Sequence, residues 1–216
     1  MDLLKLNKKF YLKTQEYFNT SRQSPWPGWK KILPYLPRRV KAGLQGQSLQ
    51  VLDLGCGNGR FGKFLAEHKT IDYTGMDNNQ YLLDRCRETL PQAKLINQDI
   101  IKPWPLKEKF DLVVLFAVLH HIPTAANRLK VLKQAKKFLR PDGLLVFTTW
   151  QFDQSKIVKK IAKNDYLLYW KKGITALRYC HCFTKKEVQG LIKALKLKLL
   201  ADFIADTSNR YLILQK

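Results

Sequence analysis

Residues 51–60 read Val-Leu-Asp-Leu-Gly-Cys-Gly-Asn-Gly-Arg, an apolar run that ends in three glycines at alternate positions. Few other features restrict a fold so tightly. The run has β-forming composition, and the glycines let the backbone leave the strand through conformations that side chains disfavour. Only a small side chain leaves room there for a ligand lying against peptide groups. The segment therefore calls for a strand, a sharp bend and then a helix.

From residue 49 onward, short apolar runs alternate with helical patterns, the signature of a parallel sheet wrapped by helices. Leu49–Leu54 reads as the first strand, 61–68 as a helix, 71–76 as the second strand, Gln80–Thr89 as a helix and Lys94–Asn97 as a third strand. Residues 110–119 form an apolar fourth strand of the kind covered on both faces. Thr124 is placed to cap a helix with Leu129, Leu132, Ala135 and Phe138 on one face and Lys130, Lys133, Lys136 and Lys137 elsewhere. Residues 143–150 give a fifth strand. A Lys- and aromatic-rich insert, 151–182, follows, and then Thr184-Lys185-Lys186-Glu187 supplies a capping box for a further helix. The last strands, 198–204 and 210–214, have too short a connection for a crossover, so they form an antiparallel hairpin. Residues 1–48 are expected to be a helical segment on the substrate side of a domain spanning 49–216.

Composition narrows the classes. The chain has 216 residues, the size of one elaborated domain. Its longest uninterrupted apolar stretch, 112–119, is too short to span a bilayer, and the amino terminus has no continuous apolar centre of the secretory kind. No membrane association and a cytoplasmic location are expected. Four scattered cysteines make no disulfide framework, and Cys180-His181-Cys182 offers at most three ligands with no second pair nearby, so no metal is expected. The net charge of +22 is concentrated at the ends: ten Lys/Arg against two acids in residues 1–50, and twelve against three in 151–200. Such an excess attracts polyanions, although solvating surface lysines would produce the same count.

Four signals beyond the glycines bear on chemistry. Asp53 precedes the bend, Asp77 ends the second strand, Asp99 follows the third, and Arg140-Pro141-Asp142-Gly143 turns into the fifth. An acid about twenty residues past a glycine bend reaches ribose hydroxyls. Yet the spacing here is G-x-G-x-G and not the G-x-G-x-x-G that seats a pyrophosphate. Each aspartate has an alternative life as a cap or turn residue. Together these residues resemble the S-adenosylmethionine-dependent methyltransferases of the seven-stranded Rossmann-like family. The resemblance implies an α/β fold with a doubly wound, mostly parallel seven-stranded sheet and an antiparallel carboxy-terminal hairpin. It also implies S-adenosylmethionine as cofactor, with Asp53, Gly55, Cys56 and Gly57 along the methionine half, Asp77 and Asn78 at the ribose, Asp99 and Ile100 at the adenine, and the Phe116-Ala117 backbone closing the site.

A narrower resemblance is to the tRNA methyltransferases that esterify the carboxymethyl group of wobble uridine. It rests on the stretch from Tyr17 to Pro27 (YFNTSRQSPWP), on Ala117-Val118-Leu119-His120-His121-Ile122 with Arg128, on Arg178-Tyr179-Cys180-His181-Cys182-Phe183, and on Asn209-Arg210-Tyr211. The chain departs from that pattern at Asp142, where a second glycine is usual, and over 153–176. The resemblance implies tRNA as partner and allows an activating subunit that nothing in the sequence indicates. A carboxylate acceptor is already ionised at neutral pH and needs no general base, so positioning dominates. Arg22 is the first candidate for a carboxylate clamp and Arg178 the second, because a guanidinium fork matches that group. His120 is a candidate for orienting the substrate, with His121 beside it. Trp26, Trp29, Trp150 and Trp170 are candidates for stacking on bases, with burial in the core as the competing fate. The same cofactor motif would serve a small metabolite such as a quinone precursor or a carboxylic acid, or a binding module without turnover.

Overall fold

The computed structural model describes residues 1–37, 48–151 and 157–216. Residues 38–47, the end of the amino-terminal segment, and 152–156, the start of the insert, lie outside the described residues. The element order is α1 (Leu3–Thr20), α2 (Pro27–Lys30), β1 (Leu49–Leu54), α3 (Arg60–Ala66), β2 (Ile71–Asp77), α4 (Gln80–Thr89), β3 (Lys94–Asn97), β4 (Phe110–Leu115), α5 (Ala125–Phe138) and β5 (Leu139–Trp150). It continues with β6 (Ile157–Ala162), β7 (Asp165–Lys172), β8 (Ile174–His181), α6 (Lys185–Leu195), β9 (Lys198–Ala205) and β10 (Asn209–Gln215).

Seven strands form one sheet in the order β3-β2-β1-β4-β5-β10-β9. Six point the same way, and β10 alone among the seven runs against them, between β5 and β9. This is the expected α/β, doubly wound, Rossmann-like sheet with its closing hairpin. Its order reverses between β1 and β4, and a crevice opens there at the carboxyl ends of the strands.

The alternation of side chains decides what each face buries. Leu52, Leu54, Val113, Leu115, Leu145 and Phe147 pack under α5 and α6 on one side. Val51, Leu112, Val114, Leu144 and Val146 meet Phe61, Phe64, Leu65 and Trp29 on the other. Both faces are dry, so these strands read as continuous apolar runs rather than alternating ones. Thr124 caps α5 by accepting from the Asn127 amide at 3.2 Å, and the Thr184 and Glu187 capping box closes the start of α6.

Several boundaries differ from the sequence reading. The fourth strand stops at Leu115, because Ala117 has φ of 56° and throws the chain out of the sheet. His120 and His121 therefore sit in a short 3-10 turn, Leu119–His121, and not on the strand. The turn into the fifth strand is absorbed into β5, with a register shift opposite Phe110 and Leu112. Asp142 adopts φ of 60° there, which explains both why glycine suits the position and why a short polar side chain is accepted. On α5 the deeply buried residues are Arg128, Val131, Leu132 and Ala135, while Leu129 and Phe138 lie at the edges of the buried stripe.

The insert is ordered in a way the sequence reading did not anticipate: β6, β7 and β8 make a separate antiparallel sheet. Helix α1 lies against β8, and Phe10, Trp170 and Ala176 pack between them. Asn7 on α1 accepts from the Tyr179 amide at 2.8 Å and donates to the Tyr179 carbonyl at 3.2 Å and the His121 carbonyl at 3.0 Å. One side chain thus serves the free edge of β8 and fixes the turn that carries His120. Among the described residues no helix is long and apolar enough to cross a membrane.

Leu145 is fully buried at the centre of the sheet. Leu145→Ala is expected to cost about 2–5 kcal/mol in a denaturant titration, through lost transfer energy and the cavity left behind; a cost below about 1 kcal/mol would contradict this packing.

Candidate active site

The glycine bend is held from two directions. The Gly55 and Cys56 amides donate to the Met76 carbonyl at 2.7 and 3.2 Å, which lashes the end of β1 to the end of β2. The Gly57 amide donates to one Asp77 carboxylate oxygen at 3.0 Å, and the Asn79 amide donates to the other at 2.9 Å. Gly55 has φ of 75°, and a Cβ there would stand 2.5 Å from a Val118 methyl carbon. Gly57 has φ of 54°, yet a Cβ there would meet only Phe18, at 3.7 Å, so the space above its peptide is open.

Beneath the bend, Asp53 is buried and accepts from the Tyr73 hydroxyl at 2.7 Å. Burial pushes its carboxyl up to about 7, with the Tyr73 hydrogen bond opposing. Burial also raises Asp77, against the backbone amides that favour its charged form. The Cys56 side chain turns inward, and its thiol is held well above its ordinary range by the Cys86 thiol and by burial. The thiol also makes a long 3.8 Å contact to the Gly57 carbonyl within the bend. Past β3, Asp99 spends one oxygen on the Ile101 amide at 3.0 Å. The turn role and the cavity-lining role that the sequence left as alternatives are both present. The Ala117 amide is taken by the Thr148 hydroxyl at 2.8 Å, so it offers no donor to a ligand, and the Phe116 ring packs 4.7 Å from Phe61.

These residues open into a single cavity of about 850 Å³. Every residue expected at the site lines it: Asp53, Gly55, Cys56, Gly57, Asp77, Asn78, Asp99, Ile100, Phe116 and Ala117, together with Arg22, His120 and Arg178. Arg178 lies between two rings, 5.5 Å from the Phe10 centroid and 5.2 Å from that of Trp150. Its buried Nε has no hydrogen-bond partner among the described residues. Arg22 is half-buried, stands 5.4 Å from the Phe18 ring, and among the described residues its guanidinium makes a long 3.5 Å contact to its neighbour's carbonyl. Burial lowers its guanidinium from the usual range. His120 is buried 5.3 Å from Trp150, and its Nδ1 has no partner among the described residues. Burial, and then His121, hold its ring well below the ordinary histidine range, so it is neutral. His121, pushed down to about 3 chiefly by burial, is also neutral, and its Nδ1–H donates to the Tyr179 carbonyl at 3.0 Å. Of the pair, His121 is the structural one.

Trp26 and Trp150 line the cavity: Trp26 packs beside Trp29 with the Arg60 guanidinium 5.1 Å from its ring, and Trp150 donates to the Ser208 hydroxyl at 2.8 Å with Arg178 5.2 Å from its ring. Trp29 also borders it but is only 2 % exposed, and Trp170, at 5 %, belongs to the core between α1 and the insert. Neither has a face free for a base. Sequence reasoning missed Tyr11, Asn58, Arg60 and Asp206 as lining residues. For the first of these the signal was available, because Asn7, Tyr11 and Phe18 fall on one face of a helix. The others depend on long-range folding. No cluster of three or more His, Cys, Asp or Glu side chains among the described residues is arranged to hold a metal ion.

The profile of the methyltransferase domain family matches residues 23–201, and the chain belongs to that family. The fold agrees. It is similar to the S-adenosylmethionine-bound CalS10, an amino pentose methyltransferase from Micromonospora echinaspora, with a TM-score of 0.67 and 17 % identity over 93 % of this chain and 95 % of that one. It is also similar to an S-adenosylmethionine-dependent methyltransferase from Clostridium acetobutylicum, with a TM-score of 0.69 and 14 % identity over 97 % and 98 %. In sequence the chain is 32 % identical over 158 residues to the tRNA (carboxymethyluridine(34)-5-O)-methyltransferase of Mus musculus. The match covers 73 % of this chain but 21 % of that protein. The Saccharomyces cerevisiae enzyme of the same name is 29 % identical over 68 % of this chain and 48 % of its own length. This chain thus spans about a fifth of the one relative and about half of the other.

The Asp53 environment has a measurable consequence. Its carboxyl stays protonated in the folded protein to about pH 7, whereas an unfolded chain releases that proton near pH 4. The folded state therefore loses stability as pH rises through that window. Asp53→Asn is expected to gain on the wild type by roughly 1–3 kcal/mol between pH 4.5 and pH 8 in urea unfolding, and a pH-independent difference would refute the assignment.

Proposed function

We propose that this chain is an S-adenosylmethionine-dependent methyltransferase that esterifies the carboxymethyl group of a wobble uridine in tRNA. The observation that carries the reading is that one cavity is lined both by the glycine bend with its carboxylates and by Arg22, His120 and Arg178. The bend suits the cofactor. Asp77 presents a carboxylate fixed by two amides, the peptide at Gly57 is uncovered, and Asp53 and Asp99 add acceptors on either side. When bound, S-adenosylmethionine supplies a methyl group on a cationic sulfur that departs as a neutral thioether.

The arginine–histidine set suits an anionic acceptor. Arg178 has two aromatic rings within 5.5 Å of its guanidinium, which restrict it before any substrate arrives. His120 is neutral and offers ring nitrogens to hydrogen bonds without adding charge. An ionised carboxylate oxygen placed against Arg178 forms the new O–CH3 bond as the C–S bond breaks, and no proton has to move. The protein's work is to bring the two reactants together and fix their angle. Arg178 supersedes Arg22 as the preferred clamp, because it is the more rigidly held. Arg22 remains a second donor at the cavity wall.

The polyanion fits the surroundings. Lys5, Lys8 and Lys172 border the cavity, and Lys159, Lys160, Lys163 and Lys171 are exposed on the insert. The division into a substrate-side segment, 1–48, and a methyltransferase domain, 49–216, belongs to the same reading, as does a cytoplasmic location. The similarity to tRNA (carboxymethyluridine(34)-5-O)-methyltransferases supports it.

Incubation with tRNA bearing 5-carboxymethyluridine, followed by nucleoside mass spectrometry, should show a gain of one methyl group on that base. Transfer to a free carboxylic acid or a quinone precursor but not to tRNA would sink the tRNA reading. Arg178→Ala should lose about 30-fold or more in kcat/KM while binding cofactor within threefold of wild type. Asp77→Ala should show the reverse emphasis in calorimetry, with cofactor affinity down by about tenfold or more.

A further inference from the structure

Asn58 stands between the second and third glycines of the bend, buried to 8 % exposure. Its amide nitrogen donates twice to the stretch that follows α1: to the Asn19 side-chain oxygen at 2.9 Å and to the Arg22 carbonyl at 3.1 Å. Both acceptors flank the turn from which the Arg22 side chain enters the cavity. The residue on one side of Asn58 is Gly57, whose amide is bound to Asp77. A side chain within the cofactor bend therefore carries the backbone of the acceptor-side arginine.

The rest of this arch is held independently. Arg60 donates to the Ser24 carbonyl at 2.8 Å and lies 5.1 Å from the Trp26 ring and 5.0 Å from that of Trp29. Asp206 accepts from the Gly28 amide at 2.9 Å and also from the Tyr211 hydroxyl. Residues 24–30 thus have their own anchors, whereas the turn at 19–23 is joined to the domain chiefly by Asn58.

We propose that Asn58 is a positioning residue that transmits occupancy of the glycine bend to Arg22, so that filling the cofactor end orders the acceptor end. The inference rests on the cofactor reading given above. Stiffening the bend fixes the Asn58 side chain, and its two hydrogen bonds then hold Asn19 and the Arg22 carbonyl in register. The coupling is reciprocal, so an acceptor that fixes Arg22 also favours occupancy of the bend.

The test is amide hydrogen exchange on the full chain with and without saturating S-adenosylhomocysteine, alongside calorimetry with the same compound. In the wild type, exchange over residues 19–23 should slow about tenfold on binding, the scale of one or two hydrogen bonds. In Asn58→Ala and in the isosteric Asn58→Asp, which has no donor, that slowing should disappear while 24–30 keep their protection and the compound still binds. Asn19→Asp retains an acceptor opposite Asn58 and should behave like the wild type. It leaves the bend's own sequence untouched, so it reports even if the Asn58 variants fold poorly. Undiminished slowing at 19–23 in the Asn58 variants, or its loss in Asn19→Asp, overturns the proposal. Failure of the wild type to bind S-adenosylhomocysteine in calorimetry instead overturns the cofactor reading, and the inference falls with it.

Discussion

The hydrogen bond from the Gly57 amide to Asp77, with the paired bonds from Gly55 and Cys56 to the Met76 carbonyl, is the constraint on which the site depends. It joins the carboxyl ends of two adjacent parallel strands through their loops. A parallel sheet brings β1 and β2 side by side but does not say where the chain goes afterwards. These bonds do: they turn the backbone across the top of the sheet, leave a peptide face uncovered at Gly57, and orient a carboxylate beside it. The reversal of strand order between β1 and β4 then supplies the opening into which both face.

The acceptor end is built differently. None of its three leading residues lies in the central sheet: Arg22 follows α1, His120 sits in a 3-10 turn, and Arg178 is on β8 of the insert. They converge because α1 packs across β8 and because Asn7 holds both the turn and the strand. The central sheet thus carries the glycine bend, and the amino-terminal segment with the insert carries the arginines that line the same cavity. Arg178 shows the economy of this arrangement, since the rings that immobilise it belong to α1 and β5.

Legibility in the sequence follows the range of the interactions. The strands from β1 to β3, α4 and the closing hairpin were readable almost to the residue, because apolar runs and caps are local signals. The cofactor end was readable for the same reason: Asp53, the glycines and Asp77 stand within one strand–helix–strand unit. The break after Leu115 was not, because it depends on a left-handed backbone at Ala117, a residue type that gives no warning of it. The insert also escaped, since its strands mix lysines with aromatics and one face is covered by a helix about 160 residues earlier in the chain. Arg22 and Arg178 were both nominated by residue type and resemblance, but choosing between them required knowing which guanidinium is flanked by rings. Asn58 was quoted within the motif and assigned no task, because its partners lie 36 and 39 positions away.

The small sheet of the insert has two open edges, and each is guarded by a different device. On β8 the Asn7 amide group satisfies the Tyr179 amide and carbonyl, occupying the slots into which a foreign strand would dock. On β6 consecutive exposed lysines, Lys159 and Lys160, make stacking of one copy against another electrostatically unfavourable. The sheet that carries Arg178 therefore has one edge occupied by a side chain and the other lined with positive charge, and both oppose backbone pairing with a second copy of the chain.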